Sequence, residues 1–405
     1  MMSDTEIKWK STFKRKIPDG WEVKLFKDVV KIEGGNQPPL KYFVYKEKEG
    51  YIRLIQTRDY RTDKYKTYIP ISLAKRLCTK EDIIIGRYGP PIFQIFKGLE
   101  GAYNVALMKA VPNEDIVNKN YCFYFISRPE LRSFLEGLSQ RSGGQTGVEI
   151  DKLNLYPFPL PPMCEQQKIA EILSTWDKAI QGTNNIIKAL EKRNKMLAFS
   201  LLTGKKRLKE FVQTPLKKVM IKEIAKEISL KNKSDEDYTV FSCTKYNGLV
   251  PSLEYFGKKI YSDNLTTYKV VKKNQFAYAT NHIEEGSIGI LKNAQVGLIS
   301  PMYTIFEFDN EINLNYAYSL LKTDFYINEY KRRMEGSIDR RGGLRWTEFS
   351  KIFINLPSLE EQNKIADVLN KANEELKQYK LKQENIKQQK KGLMQQLLTG
   401  KVRTI

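Results

Sequence analysis

The chain of 405 residues holds one histidine, His282, and four scattered cysteines, Cys78, Cys122, Cys164 and Cys243, with no Cys-x-x-Cys pair among them. That disfavours a Cys/His zinc site, and nothing demands a disulfide framework. A lone histidine offers no catalytic triad. Long apolar runs are missing too: no stretch approaches the roughly 18 residues of a membrane span, and the start, MMSDTEIKWKS, carries no apolar signal region. These absences lead to the expectation of a cytoplasmic protein without a bound metal.

Enzyme loops are equally scarce. Asn36-Gln37-Pro38-Pro39-Leu40 is the nearest string to the Asn/Asp-Pro-Pro-aromatic loop of adenine methyltransferases, but it has an inserted residue and no terminal aromatic, so it reads as a turn. No glycine-rich cofactor loop follows a strand. Thr203-Gly204-Lys205 and Thr399-Gly400-Lys401 are partial phosphate-loop look-alikes that end helices, whereas such a loop must begin one. Carboxylates and lysines abound without the diagnostic spacing of a nuclease.

Acidic charge is also in deficit. Lys and Arg total 68 against 47 Asp and Glu, a net charge of +21. Such an excess points to a polyanionic partner, most often nucleic acid, with plain solubility charge as the bland alternative. The length exceeds one typical core and implies at least two domains.

What is present is a repeat. Leu160-Pro-Pro-Met-Cys-Glu-Gln-Gln-Lys-Ile-Ala-Glu-Ile-Leu173 aligns with Leu356-Pro-Ser-Leu-Glu-Glu-Gln-Asn-Lys-Ile-Ala-Asp-Val-Leu369 at an offset of 196, identical at eight of fourteen positions. At the same offset Leu201-Leu-Thr-Gly-Lys-Lys-Arg207 matches Leu397-Leu-Thr-Gly-Lys-Val-Arg403. Weaker echoes set Gly143-Gly-Gln-Thr-Gly147 opposite Asp339-Arg-Arg-Gly-Gly343, and Lys27-Asp28-Val29 opposite Lys222-Glu223-Ile224. The chain therefore divides into a globular segment 1–160, a helical segment 161–208, a second globular segment 209–355 and a second helix 356–405. The helical segments match closely and the globular ones do not, so the helices share one job while the globular parts differ in theirs.

Both helical segments carry a heptad seam. In the first it runs through Ile169, Leu173, Trp176, Ile180, Thr183 and Ile187, then Leu190, Asn194, Leu197 and Leu201. In the second it runs through Ile365, Leu369, Ala372, Leu376, Tyr379 and Gln383, then Ile386, Lys390, Leu393 and Leu397. Polar seam residues either fix register or are simply wet. Ser358 and Glu361 have capping-box spacing, and Gly204 and Gly400 stand where helices end. Two such stripes most simply pack on each other; an antiparallel pair would relate the globular segments by a pseudo-two-fold axis. The predicted fold is thus α/β: two globular domains, each with a largely antiparallel sheet, separated by two long antiparallel coiled-coil helices in a tandem repeat.

Basic and aromatic residues interleave in the globular loops. Arg53, Arg58, Arg61 and Lys64 crowd one stretch with Tyr60, Tyr65 and Tyr68, and Arg87-Tyr88 precedes a Gly-Pro-Pro turn. In the second half Lys245, Tyr246 and Asn247 lead into Gly248, Asn281 and His282 follow a strand, and Arg340, Arg341 and Arg345 cluster near Gly342 and Gly343. Such side chains hold phosphate or read base edges. They are the DNA-contact candidates, with a solvated basic surface as the alternative.

The duplicated signature, Leu160-Pro161, Glu165-Gln166, Lys168-Ile169-Ala170 and its second copy Leu356-Pro357, Glu361-Gln362, Lys364-Ile365-Ala366, resembles the specificity subunits of type I restriction–modification enzymes. Gly20-Trp21-Glu22 with Leu25 and Asp28-Val29 is similar to that family's usual start of a target recognition domain. The resemblance implies a non-catalytic subunit. Its two recognition domains would each read half of a split double-stranded DNA site. Its helices would dock two methyltransferase subunits and, through them, restriction–translocase subunits. S-adenosylmethionine, ATP and magnesium would be used by those partners, with no cofactor on this chain. Thr214-Pro215-Leu216-Lys217 departs from the pattern in lacking a tryptophan, and residues 1–17 have no assigned role. The competing class is a coiled-coil scaffold whose domains bind RNA or protein.

Overall fold

The computed structural model describes residues 18–89, 91–139, 147–233, 237–335 and 343–404. Its contacts separate two compact units: one holds the chain up to Asn184 together with the stretch from Lys382 on, and the other holds Asn185–Leu381. Two long helices, Met163–Leu202 and Leu359–Leu397, each contribute residues to both units.

The first unit contains ten short strands: β1 (Glu22–Leu25), β2 (Val30–Gly34), β3 (Tyr51–Ile55), β4 (Tyr68–Pro70), β5 (Leu77–Cys78), β6 (Ile83–Gly86), β7 (Ile95–Phe96), β8 (Gly101–Tyr103), β9 (Leu107–Pro112) and β10 (Pro157–Leu160). They form three sheets, ordered β1-β10, β2-β9-β6-β7 and β4-β3-β8-β5. All pairings are antiparallel except β3 with β8. The single sheet expected from the sequence is therefore three. Strands of two to six residues, several of them buried along their whole length, assemble around three separate apolar clusters. Ile83, Ile84 and Ile85 show why: they are consecutive and all fully buried, so both faces of β6 are covered.

The second unit repeats this plan. Its strands are β11 (Lys217–Met220), β12 (Ala225–Ile228), β13 (Val240–Thr244), β14 (Gly248–Pro251), β15 (Lys269–Lys272), β16 (Phe276–Ala279), β17 (Ile288–Ile290), β18 (Val296–Ile299), β19 (Tyr303–Phe308) and β20 (Phe353–Leu356). The orders β11-β20, β12-β19-β16-β17 and β14-β13-β18-β15 match the first unit strand for strand, including the one parallel pair, β13 with β18. The stretch from 314 to 335 forms two helices, Leu314–Leu321 and Asp324–Glu335, with a break between them. Thr323 causes the break: its hydroxyl donates to the Leu320 carbonyl and accepts from the Tyr326 N–H.

Within each unit the two helix stretches run antiparallel. In the first, Glu165 meets Arg403 and Asp177 meets Lys390. In the second, Arg193 meets Glu375 and Arg207 meets Glu361. Ile169 and Leu173 join Leu397 and Leu398 in the first unit's main core; Leu201 and Leu202 join Ile365 and Leu369 in the second's. Gly204 and Gly400 take φ of +70° and +72° just beyond the helix ends, the left-handed conformation that closes a helix C-terminus.

Candidate nucleic-acid interface

In the first unit the loops after β3 and β6 meet. Asp59 is buried and organises the first of them: one oxygen accepts from the Gln56 N–H at 2.6 Å and the other from Arg53 Nη2 at 3.1 Å. Asp63 takes the same Nη2 at 3.0 Å, and the Arg53 side chain is only 16% exposed, so Arg53 clamps the loop from within. Tyr60 stacks on Phe96 at 4.3 Å, and Arg61 Nη2 donates to Gln94 Oε1 at 3.0 Å, which ties the two loops together. Arg58, which donates to Thr67 Oγ1 at 3.3 Å, is exposed, as are Arg61 and Lys64. Arg87 lies 5.1 Å from the Tyr88 ring centroid, both half-buried.

The second unit places its candidates at the equivalent strand ends. Lys245, Tyr246 and Asn247 form the exposed turn between β13 and β14, with Tyr246 78% exposed. Thr244 Oγ1 braces the turn by accepting from the Asn247 N–H at 3.1 Å. The neighbouring loop joins β16 to β17; Lys322 Nζ ties the β13–β14 turn to the start of β17 by donating to the carbonyls of Lys245 at 2.7 Å and Ile288 at 3.4 Å. Asn281 Oδ1 accepts from the Gly343 N–H at 3.0 Å, and Leu344 N–H donates to the Thr280 carbonyl at 2.9 Å. Arg345 is exposed two residues further on; Arg340 and Arg341 lie outside the described residues.

A shared joint explains the faint glycine match of the sequence. Val148 N–H donates to the Arg87 carbonyl at 3.0 Å, as Leu344 does to Thr280. A Cβ on Gly147 would press on the Tyr88 ring at 3.2 Å, and one on Gly343 would sit 2.1 Å from the Thr280 carbonyl oxygen. Glycine allows the chain to pass directly over the end of β6 or β16.

The motif glutamates and glutamines do a different task. Gln166 Oε1 accepts from the Asn118 N–H at 2.8 Å, and its Nε2 donates to the carbonyls of Ile116 and Pro161. Gln362 repeats all three bonds with Asn313, Glu311 and Pro357. Asn118 and Asn313 cap equivalent helices, each side chain accepting from two N–H groups. Ser358 Oγ accepts from the Glu361 N–H at 3.3 Å, but the Glu361 carboxylate takes Arg207 instead of closing a capping box. Trp21 Nε1 donates to Glu165 Oε2 at 3.0 Å. Burial would raise the Glu165 carboxyl, but Arg403, Trp21 and the Thr404 N–H together hold it below its ordinary value.

Of the seam residues, Ile169, Leu173, Ile187, Leu190, Ile365 and Leu369 are buried, while Trp176, Ile180, Leu197, Leu376, Ile386 and Leu393 are half-buried. Among the polar ones, Asn194 is buried and its Nδ2 donates to the Ala372 carbonyl at 2.7 Å. Lys390 Nζ reaches Asp177 at 2.6 Å. The register reading is the one these two contacts favour.

Burial pushes the Cys78 thiol up to about 11 and those of Cys122 and Cys243 up to about 12, so these three are poor nucleophiles. Among the described residues, one group could offer several metal ligands, His282, Glu284 and Glu285. His282 and Glu285 are exposed, with Nδ1 3.7 Å from the carboxylate, the geometry of a surface pair.

Residues 18–192 match the family model described as the type I restriction modification DNA specificity domain. The chain is 29% identical over 415 residues to the type I restriction enzyme MjaVIII specificity subunit of Methanocaldococcus jannaschii, covering 96% of this chain and 94% of that one. It is 27% identical over 434 residues to the putative MjaX specificity subunit of the same organism, covering 98% and 97%. The S subunit structure from M. genitalium aligns over 94% of this chain and 96% of its own, with a TM-score of 0.55 at 16% identity. A chain from a structure of type I restriction–modification complex assembly and conformational transition aligns over 96% of this chain and 100% of its own, with a TM-score of 0.57 at 14% identity. The fold is that of type I S subunits. Residues 18–192 thus resemble a type I DNA specificity domain, and nearly the whole chain is similar to type I restriction enzyme specificity subunits. No helix among the described residues is long and apolar enough to cross a membrane.

Proposed function

We propose that this chain is the non-catalytic reader of a bipartite, asymmetric double-stranded DNA site. Each unit contacts one half with the loops after β3 and β6, or after β13 and β16. The observation that carries the reading is the pairing of identical strand order with unlike loop chemistry: Arg58, Arg61, Lys64 and Arg87 in one unit, Lys245, Tyr246, Asn247 and Asn281 in the other. A duplicated scaffold with divergent contacts suits two different half-sites.

The long helices serve as the platform for two methyltransferase subunits and, through them, restriction–translocase subunits. Large apolar side chains exposed on them, Ile186, Met196, Phe199 and Leu381, support a docking role. S-adenosylmethionine, ATP and magnesium belong to those partners. The test is a domain exchange: residues 209–355 are replaced by the corresponding segment of another specificity subunit, and methylation by the reconstituted complex is mapped. One half of the recognised site should change. A change in both halves would refute the modular reading.

A further inference from the structure

In the first unit a cleft of about 290 Å³ opens where the turn before the helix Pro129–Ser139 meets residues of the second long helix. Ile180 and Met394 give it apolar walls; Arg128, Lys387, Lys390 and Lys391 face one acid, Glu130. Arg128 is 5% exposed. Its Nε donates to the Phe125 carbonyl at 3.2 Å and its guanidinium lies 4.0 Å from the Phe125 ring centroid, but Nη2 is buried and has no hydrogen-bond partner among the described residues. Lys390 is held by Asp177, whereas Lys387 and Lys391 are exposed, and among the described residues Lys387 pairs with Glu384 alone, at 3.9 Å. A buried donor left unmet is costly until an acceptor arrives.

The second unit shows that the fold does not require this charge. By the equivalent helix caps Asn118 and Asn313, Arg128 corresponds to Thr323, with Asp324 next to it; at the offset of 196, Lys387, Lys390 and Gln395 correspond to Glu191, Asn194 and Phe199. There Asp324 is matched by Lys195 at 2.9 Å and Glu191 by Lys380 at 2.7 Å. The cavity at that place is lined by Phe199, Leu202, Phe325 and Tyr326 among others. The second-unit cavity carries one cation, Lys205, over the Phe199 ring, whereas the first-unit cleft gathers four cations against one acid over an apolar wall.

We propose that the first-unit cleft binds an acidic, partly apolar peptide segment of a partner protein. Its carboxylates sit among Arg128, Lys387 and Lys391, and its apolar side chains lie on Ile180 and Met394. A nucleic-acid backbone is the other available polyanion. It gains nothing from the apolar wall, and Glu130 and Asp177 oppose a continuous track of phosphates. The cleft also shares no residue with the recognition loops, so the inference stands apart from the DNA-reading role.

The full chain is titrated into a fluorescein-labelled hexapeptide of alternating glutamate and leucine, followed by anisotropy, with labelled hexathymidylate in parallel. Peptide binding should saturate and weaken about tenfold in the Lys387→Glu, Lys391→Glu double variant, because two cations become anions at the contact. Lys195→Glu, at the position equivalent to Lys391, should leave it unchanged. The neutral pair Lys387→Gln, Lys391→Gln should lose affinity in the same direction while keeping the wild-type melting curve. Absence of saturable peptide binding, equal affinity in wild type and both double variants, or an equal loss of hexathymidylate binding would each overturn the proposal.

Discussion

Arg403 grips Glu165 through Nε at 2.8 Å and Nη2 at 3.0 Å, across 238 residues of sequence. Arg207 grips Glu361 in the same bidentate way in the other unit. The glutamate that opens each long helix is thus answered by an arginine that follows the other helix. Both carboxylates are fully buried, so each needs its cation.

Removing one partner leaves the other as an unpaired buried charge. Arg403→Ala should therefore destabilise the protein, read as a lowered urea midpoint. Arg403→Lys should recover only part of the loss, since an ammonium cannot make the two-pronged contact. A midpoint equal to wild type for the alanine variant would contradict this role.

The same pair sets a pH dependence. The folded Glu165 carboxyl is held below its ordinary value of 4.5, so its contribution is complete above that value and is lost as pH falls through the folded one. Stability should decline in acid more steeply in the wild type than in Glu165→Gln. Parallel acid profiles for the two proteins would argue against it.

Much of this was legible beforehand. The offset of 196 announced the duplication, and the heptads gave helices whose seams are buried or half-buried. The distant partners of Glu165 and Gln166 were not legible, because those bonds span tens to hundreds of residues; only the Gln166 bond to Pro161 is local. One signal was available: Asn118-Lys-Asn-Tyr121 and Asn313-Leu-Asn-Tyr316 repeat the helix cap that each glutamine fastens. Periodicity also could not separate one sheet from three, since buried strands this short carry no alternation. Arg53 shows the same limit for the site. It has the composition of a DNA contact, and only its proximity to Asp59 and Asp63 reveals it as a loop clamp.

Gly343→Ala should disturb the second unit's loops without unfolding the protein. The added Cβ would meet the Thr280 carbonyl and Asn281 Oδ1 at 2.1 and 2.3 Å, so the segment must move away from β16. Affinity for the cognate duplex should drop by about 1–3 kcal/mol, the worth of one good base contact. Gly34→Ala, with open space around its Cβ, is the matched control and should bind as wild type does. Equal affinities for the two variants would sink the prediction.

Helix substitutions should separate folding from docking. Leu173 is fully buried in the first unit's core, so Leu173→Glu should abolish folding itself, by well over about 4 kcal/mol. Leu381 is 57% exposed, and Leu381→Glu should change stability by no more than about 0.5 kcal/mol. The exposed-site variant should nevertheless pull down less methyltransferase subunit from a co-expressing host. Undiminished recovery would remove Leu381 from the docking face.

The central claim, that this chain chooses where a partner methylates DNA, is tested most directly by long-read methylome sequencing of the host with and without its gene. One bipartite N6-methyladenine motif should vanish on deletion and return on complementation. In an otherwise methylated genome with an expressed methyltransferase partner, an unchanged set of motifs would contradict the account.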